Sequence, residues 1–126
     1  MKLEFIENGA ADCPLIRLYA FDLREAVHLR EIFLSLSLGV SERADLHSDQ
    51  SIKPIDKCNL TLISSEQDLG IIRRLPFAFE CVFTKETWGH IATLVEPFCE
   101  SYRPGCYQWL TEQGDAFLLL SWDGSW

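Results

Sequence analysis

No stretch of this sequence approaches the roughly 20 consecutive apolar residues that a helix needs to cross a bilayer. The opening run, Met-Lys-Leu-Glu-Phe-Ile-Glu-Asn, alternates apolar and charged residues and lacks the apolar core of an export signal. Basic residues are scarce: 11 Lys and Arg stand against 19 Asp and Glu, a formal net charge of −8. The deficit is spread, with seven basic against ten acidic residues in 1–63 and four against nine in 64–126. A field of that sign opposes a nucleic-acid backbone or an anionic membrane surface. The one dense basic spot, Arg73-Arg74, is too small to serve as a phosphate footprint. The five cysteines are an odd number without a CxxC pair, which excludes a zinc ribbon and a thioredoxin-type redox motif. Without an export signal they read as reduced thiols in a cytoplasmic protein, mostly filling the core.

Motifs of chemistry are also missing. There is no Walker loop, GxGxxG, HExxH, EF-hand loop or GxSxG. Cys99 and Cys106 bridge a helix end and a turn, with His90 two turns away, a weak metal pattern; no metal and no cofactor is expected. Cys13 and Cys106 are the more exposed thiols, but a nucleophile needs a neighbouring base, which spacing alone does not supply. His47-Ser48-Asp49 holds the residue types of a hydrolase triad, yet adjacent side chains diverge and triads assemble across a fold. His47 and Asp49 therefore read as a polar binding loop at most. Asn59-Leu60-Thr61 matches a glycosylation sequon inside a strand-like run of a chain read as cytoplasmic, and Glu96 and Glu100 form a mildly repulsive helical pair.

What is present is the composition of one ordinary domain. The chain has 126 residues and is 48% hydrophobic, enough to bury a core without a disulfide or metal staple. Residues 2–7 alternate as a short edge strand, followed by a turn at Asn8-Gly9. A strand over 15–21 leads to Asp22, a helix cap with Glu25 three residues on, and a helix to about Leu38 with Gly39 ending it. Residues 40–56 are polar and hard to assign, with a short strand near Ala44–His47. Strands follow over 58–64, 71–74 and 77–83. Thr84 caps a second helix over 85–100, which Pro97 is expected to kink or end early. Tyr107–Thr111 and Ala116–Trp122 form a hairpin.

Strand, helix and strand pair thus recur, which points to a two-layer α+β sandwich with a βαββ internal repeat. The expected architecture is a mainly antiparallel sheet of five to seven strands with two helices on one face. Aligning the halves on their helix caps sets Arg17 against Phe79 and Leu18 against Glu80, so a duplication would need a face swap or a bulge.

Two helices on one face leave the other face to explain. Alternation puts Ile16, Leu18 and Ala20 toward the helices and Arg17, Tyr19 and Phe21 on the far side. Strand 116–122 is apolar on both faces, and Tyr107 and Trp109 share a parity. An aromatic face of this kind marks an interface, with sheet-to-sheet homodimerisation the simplest occupant, unless the 40–56 segment or the terminal residues cover it. Trp126 would tuck into a groove of its own subunit or a neighbour. The binding candidates are Tyr19, Phe21, Trp109, Trp126, His47 and Asp49. The expected function is a non-enzymatic, self-associating interaction domain, with a basic protein as a further partner for its acidic surface. The rival is a small enzyme or ligand-binding protein with a pocket between the sheet and the 40–56 loop.

Overall fold

The alternating pattern at the start of the chain does build a strand, but one that continues through Asn8-Gly9. In the computed structural model, which describes residues 1–10 and 13–126, β1 (Lys2–Ala10) pairs antiparallel with β2 (Cys13–Tyr19). Helix α1 (Leu23–Ser37) begins at a full capping box: Asp22 Oδ1 accepts from the Glu25 amide at 2.8 Å, and Glu25 Oε1 accepts from the Asp22 amide at 3.2 Å. It ends in a Schellman turn, with Gly39 at φ +76° and the Val40 amide donating to Ser35 O at 3.0 Å. The polar segment after it holds β3 (Arg43–Asp45), a 3-10 turn (Leu46–Ser48) and the two-residue β4 (Lys53–Pro54). Then come β5 (Asn59–Ser64), β6 (Gly70–Leu75), β7 (Ala78–Phe83), α2 (Lys85–Glu100), β8 (Tyr107–Thr111) and β9 (Phe117–Ser121). Pro97 does not end α2 early. Phe98, buried one residue later, packs its ring against Phe21 and Trp122 and holds the last turn in place of the lost backbone bond.

The single, mainly antiparallel sheet is not what forms. The described residues make two mixed sheets, one of five strands in the order β4-β1-β2-β9-β8 and one of four in the order β3-β5-β7-β6. The parallel pair β2–β9 joins strands that have both helices between them in the chain, and β5–β7 joins strands separated by β6, relations that local periodicity does not carry.

Both sheets contain the same four-strand pattern. In the larger, β1 is antiparallel to β2, β2 parallel to β9, and β9 antiparallel to β8. In the smaller, β6 is antiparallel to β7, β7 parallel to β5, and β5 antiparallel to β3. Each sheet therefore joins the hairpin that precedes one helix to a strand pair that follows the other. The registers agree as well. Ile16–Leu118, Arg17–Leu119 and Leu18–Leu120 stand where Phe79–Leu60, Glu80–Thr61 and Cys81–Leu62 stand in the other sheet. Arg17 thus matches Glu80, one residue away from the cap-based alignment.

The extra residue is Ala20. It sits at φ +54° between β2 and the cap, and its amide donates to Trp122 O at 3.0 Å. This left-handed step breaks the alternation, so Leu18 and Phe21 both enter the core while Ala20 is exposed. Phe21 consequently does not share a face with Arg17 and Tyr19, and Ala20 does not face the helices, contrary to the sequence expectation.

One apolar core joins both sheets and both helices. Ile16, Leu18, Leu118 and Leu120 enter it from one sheet, Leu60, Leu62, Phe79 and Cys81 from the other. The helices contribute Ala26, Leu29, Phe33 and Leu36 from α1 and Trp88, Ile91, Val95 and Phe98 from α2. Counted from their caps these positions correspond, but their volumes are exchanged: Ala26 corresponds to Trp88 and Phe33 to Val95. Phe33 and Trp88 stack at 5.7 Å, and the Trp88 indole donates to Ile63 O at 3.0 Å. The sheets also meet along β6, where Ile71 bridges to Gly114. Gly114 lies at φ +99°, and a Cβ there would collide with the Ile71 backbone, so this seam requires glycine.

Candidate functional site

Three places merit consideration: the outer face of the five-stranded sheet, the contact between α1 and residues 49–51, and the aromatic cluster around Trp122.

On the outer sheet face, Leu15 and Leu119 are fully buried beneath Ile6, Trp109 and Phe117. Trp109 meets Tyr107 at 6.3 Å and Phe117 at 5.9 Å, both nearly perpendicular, and Tyr107 is exposed. The rest of this face is covered by the chain itself. Arg17 ion-pairs with Glu4, donates to Gly124 O at 2.7 Å and lies 3.9 Å over the Tyr19 ring. Ser121 Oγ donates to Ser125 O at 2.7 Å, folding the residues after β9 back over the sheet, with the Trp126 ring 5.7 Å from the Arg17 guanidinium. Tyr19 is packed under Arg17 and half-buried, as are Trp109 and Phe117, whereas Tyr107 and Trp126 are exposed.

His47 and Asp49 do not form a joint site. His47 Nδ1 accepts from the Leu60 amide at 3.1 Å, which ties the 3-10 turn to β5. Asp49 turns instead to His28 of α1: His28 Nε2 lies 2.7 Å from Asp49 Oδ2. The Ser51 amide and hydroxyl donate to the other Asp49 oxygen at 2.9 and 2.7 Å. Partial burial works to raise the Asp49 pKa, but the hydrogen bonds from Ser51 and His28 outweigh it and hold the carboxyl below its usual value. Since Ser51 bonds the carboxylate and not the imidazole, the relay of a hydrolase is absent from this trio. A depression of about 480 Å³ lies here, lined by Arg24, Glu25, His28, Asp49, Gln50 and Ser51. It sits between α1 and the 49–51 segment, not between a sheet and the 40–56 loop.

The third place was not among the sequence candidates, except for Phe21. Phe21 and Trp122 are buried and stacked at 4.4 Å; Phe98 and Tyr102 meet the same indole at 5.5 and 5.1 Å. A depression of about 520 Å³ is bounded by Phe21, Asp22, Leu23, Arg24, Tyr102 and Trp122. A smaller one, about 130 Å³, also borders Trp122 and includes Phe98, Arg103, Cys106 and Gln108. The sequence trace of this cluster is the Phe98–Tyr102 spacing across a helix end, but its closure on Phe21 depends on the left-handed step at Ala20. The corresponding place at the start of α2 is a depression of about 530 Å³ lined by Ser64, Glu66, Thr84, Lys85 and Glu86, with Glu42 beside them.

Burial pushes the Cys58 thiol up to about 12, helped by Glu4, and also raises Cys81 and Cys99, so none of the three favours a reactive thiolate. Among the described residues no group of three or more His, Cys, Asp or Glu is placed to hold a metal ion, and no helix is long and apolar enough to cross a membrane. Comparison with protein-family models, curated proteins and solved structures finds no match to this chain.

Proposed function

We propose that this protein is a self-associating interaction domain whose contact surface is the aromatic part of the outer sheet face. The observation that carries the reading is the edge-to-face run of Tyr107 and Trp109 on β8, an edge strand of its sheet, with Phe117 on β9. Two copies of a chain with net charge −8 repel wherever their acidic surfaces meet, so an uncharged aromatic patch is where approach costs least. Aromatic rings are also the side chains that contribute most at such contacts. Light scattering is the direct test. A dimer at micromolar concentration that Trp109→Glu converts to a folded monomer supports the reading; a monomeric wild type removes it. A basic protein partner for the acidic surface remains a separate outcome, detectable as salt-sensitive binding.

A second reading, a small-molecule-binding protein, is favoured by the two depressions that share Arg24 as a wall. We further propose that the chain is a duplicated ββαββ unit whose halves exchange strand pairs. The support is the agreement of pairing order and register between the sheets, with β4 and the 3-10 turn as an insertion in the first half.

A further inference from the structure

We propose that the depressions bordering Trp122 form one binding site for a small anion with a flat apolar body, an aromatic monocarboxylate. The proposal deepens the small-molecule reading; Tyr107, part of the aromatic run on the outer sheet face, also lines the smaller depression. Its main support is the distribution of arginines. Five of the seven, Arg17, Arg30, Arg43, Arg73 and Arg74, are ion-paired with carboxylates. Among the described residues Arg24 and Arg103 have no carboxylate partner; the Arg103 Nε donates to Ser101 Oγ at 3.3 Å. In a chain with 19 acidic residues an arginine without a carboxylate partner is the exception, and both of these line depressions that border the same tryptophan.

The rest of the lining fits such a ligand. Phe21 and Trp122 form a packed apolar floor, so the site exists before a ligand arrives. Leu23, 39% exposed, and Tyr102, 57% exposed, are apolar walls open to a flat ring. A guanidinium offers a carboxylate two parallel donors. The acid of the larger depression, Asp22, is held at the helix cap, with its Oδ1 taking the Glu25 amide. Its charge favours a singly charged ligand over a phosphate monoester. At the start of α2 the same backbone carries three glutamates, one lysine and Ser64 in the place of Trp122, so the cationic aromatic lining is not a by-product of the fold.

The test uses 1-naphthoate as probe and naphthalene-1-methanol as its neutral analogue, followed by the Trp122 indole N–H resonance. The expected result is saturable binding of naphthoate and a loss of at least about tenfold for the alcohol, the worth of one charge-assisted hydrogen bond. Arg24→Gln and Arg103→Gln should each weaken naphthoate without changing the alcohol, and Arg43→Gln should leave both unchanged. Absence of a saturable shift at about millimolar probe, the weakest affinity of interest here, overturns the site. Equal binding of acid and alcohol, or indifference to both arginine substitutions, overturns the assignment of an anion and leaves only an apolar patch. The variant Trp109→Glu serves as the independent control: loss of dimer with retained naphthoate binding separates this site from the sheet face.

Discussion

The starts of the two helices rest on corresponding backbone and present different chemistry. Asp22 and Thr84 each cap a helix by accepting an amide three residues on, and each follows a strand paired in the same manner. At α1 the neighbouring surface is aromatic and holds Arg24; at α2 it is glutamate-rich, with serine in the position of the tryptophan. The difference separates two kinds of constraint. Positions facing the core stay apolar in both halves, with volume exchanged between partners, because one shared interior must be filled to constant density. Positions facing the depressions have no such obligation, and there the halves differ. The surface on which the halves differ most is therefore the one where a specialised role is best sought.

The largest effect is expected where volumes are exchanged. Trp88 is fully buried and occupies the position that Ala26 holds in α1. Trp88→Ala removes the partner of Phe33 and the donor to Ile63 O, and should cost about 3–5 kcal/mol in urea unfolding. The reciprocal Ala26→Trp has no such space and should cost about 1–3 kcal/mol by overpacking. If both substitutions prove mild, the halves do not share a tightly filled core.

Next in size is Trp122→Ser, which gives the first half the residue that the second has at Ser64. It strips the floor from beneath Phe21, Phe98 and Tyr102 and should cost about 3 kcal/mol, with complete loss of naphthoate binding. Ser64→Trp should change stability by less than about 1 kcal/mol, since Ser64 is half-buried at the rim of an open depression. Equal costs for the two would erase the distinction between the sites.

Features that depend on near neighbours in the chain were legible from sequence. The capping box of Asp22 and Glu25, the glycine stop at Gly39 and the second helix over 85–100 all act within a few residues of themselves. The parallel pairs β2–β9 and β5–β7 were not, because whole elements separate their partners in the chain, both helices in the first case and β6 in the second, and no local period reports them. The His28–Asp49 contact, between residues 21 apart in the chain, is equally outside the reach of local spacing. Phe21 was assigned to the wrong face since one left-handed residue inverts alternation, and alanine, unlike glycine, does not advertise it.

The segment that holds the 3-10 turn and β4, which has no counterpart after α2, supplies a smaller test. Asp49 links residues 49–51 to α1 through His28, and the second half has no equivalent link. Asp49→Asn should cost about 1 kcal/mol at pH 7, in the range of a partly exposed carboxylate that accepts hydrogen bonds from Ser51 and lies against His28. The sign of the pH dependence follows from its lowered pKa. A carboxyl depressed in the folded state contributes stability above its unfolded value, about 4, and loses that contribution as pH falls through the lower folded value. The stability gap between wild type and Asp49→Asn should therefore be widest near neutrality and close in acid, as measured by urea titrations at a series of pH values. A gap that is independent of pH would mean that Asp49 acts through packing alone.

The smallest expected effect falls on Ala20, the residue that puts the two halves out of step. Alanine at φ +54° carries a penalty of about 1 kcal/mol or more, which glycine does not. Glycine also costs about 0.5–1 kcal/mol in the extra freedom of its unfolded chain. Ala20→Gly should thus be neutral to stabilising by about 0.5 kcal/mol, whereas Ala20→Val, whose β-branched side chain fits that region poorly, should destabilise by about 1 kcal/mol. The pair is informative because Ala20 is exposed: a packing role would make Gly the damaging change, whereas a conformational role makes Val the damaging one. Only the second outcome is consistent with a left-handed step that turns Phe21 away from the face of Tyr19 and onto Trp122, and so makes the start of α1 aromatic.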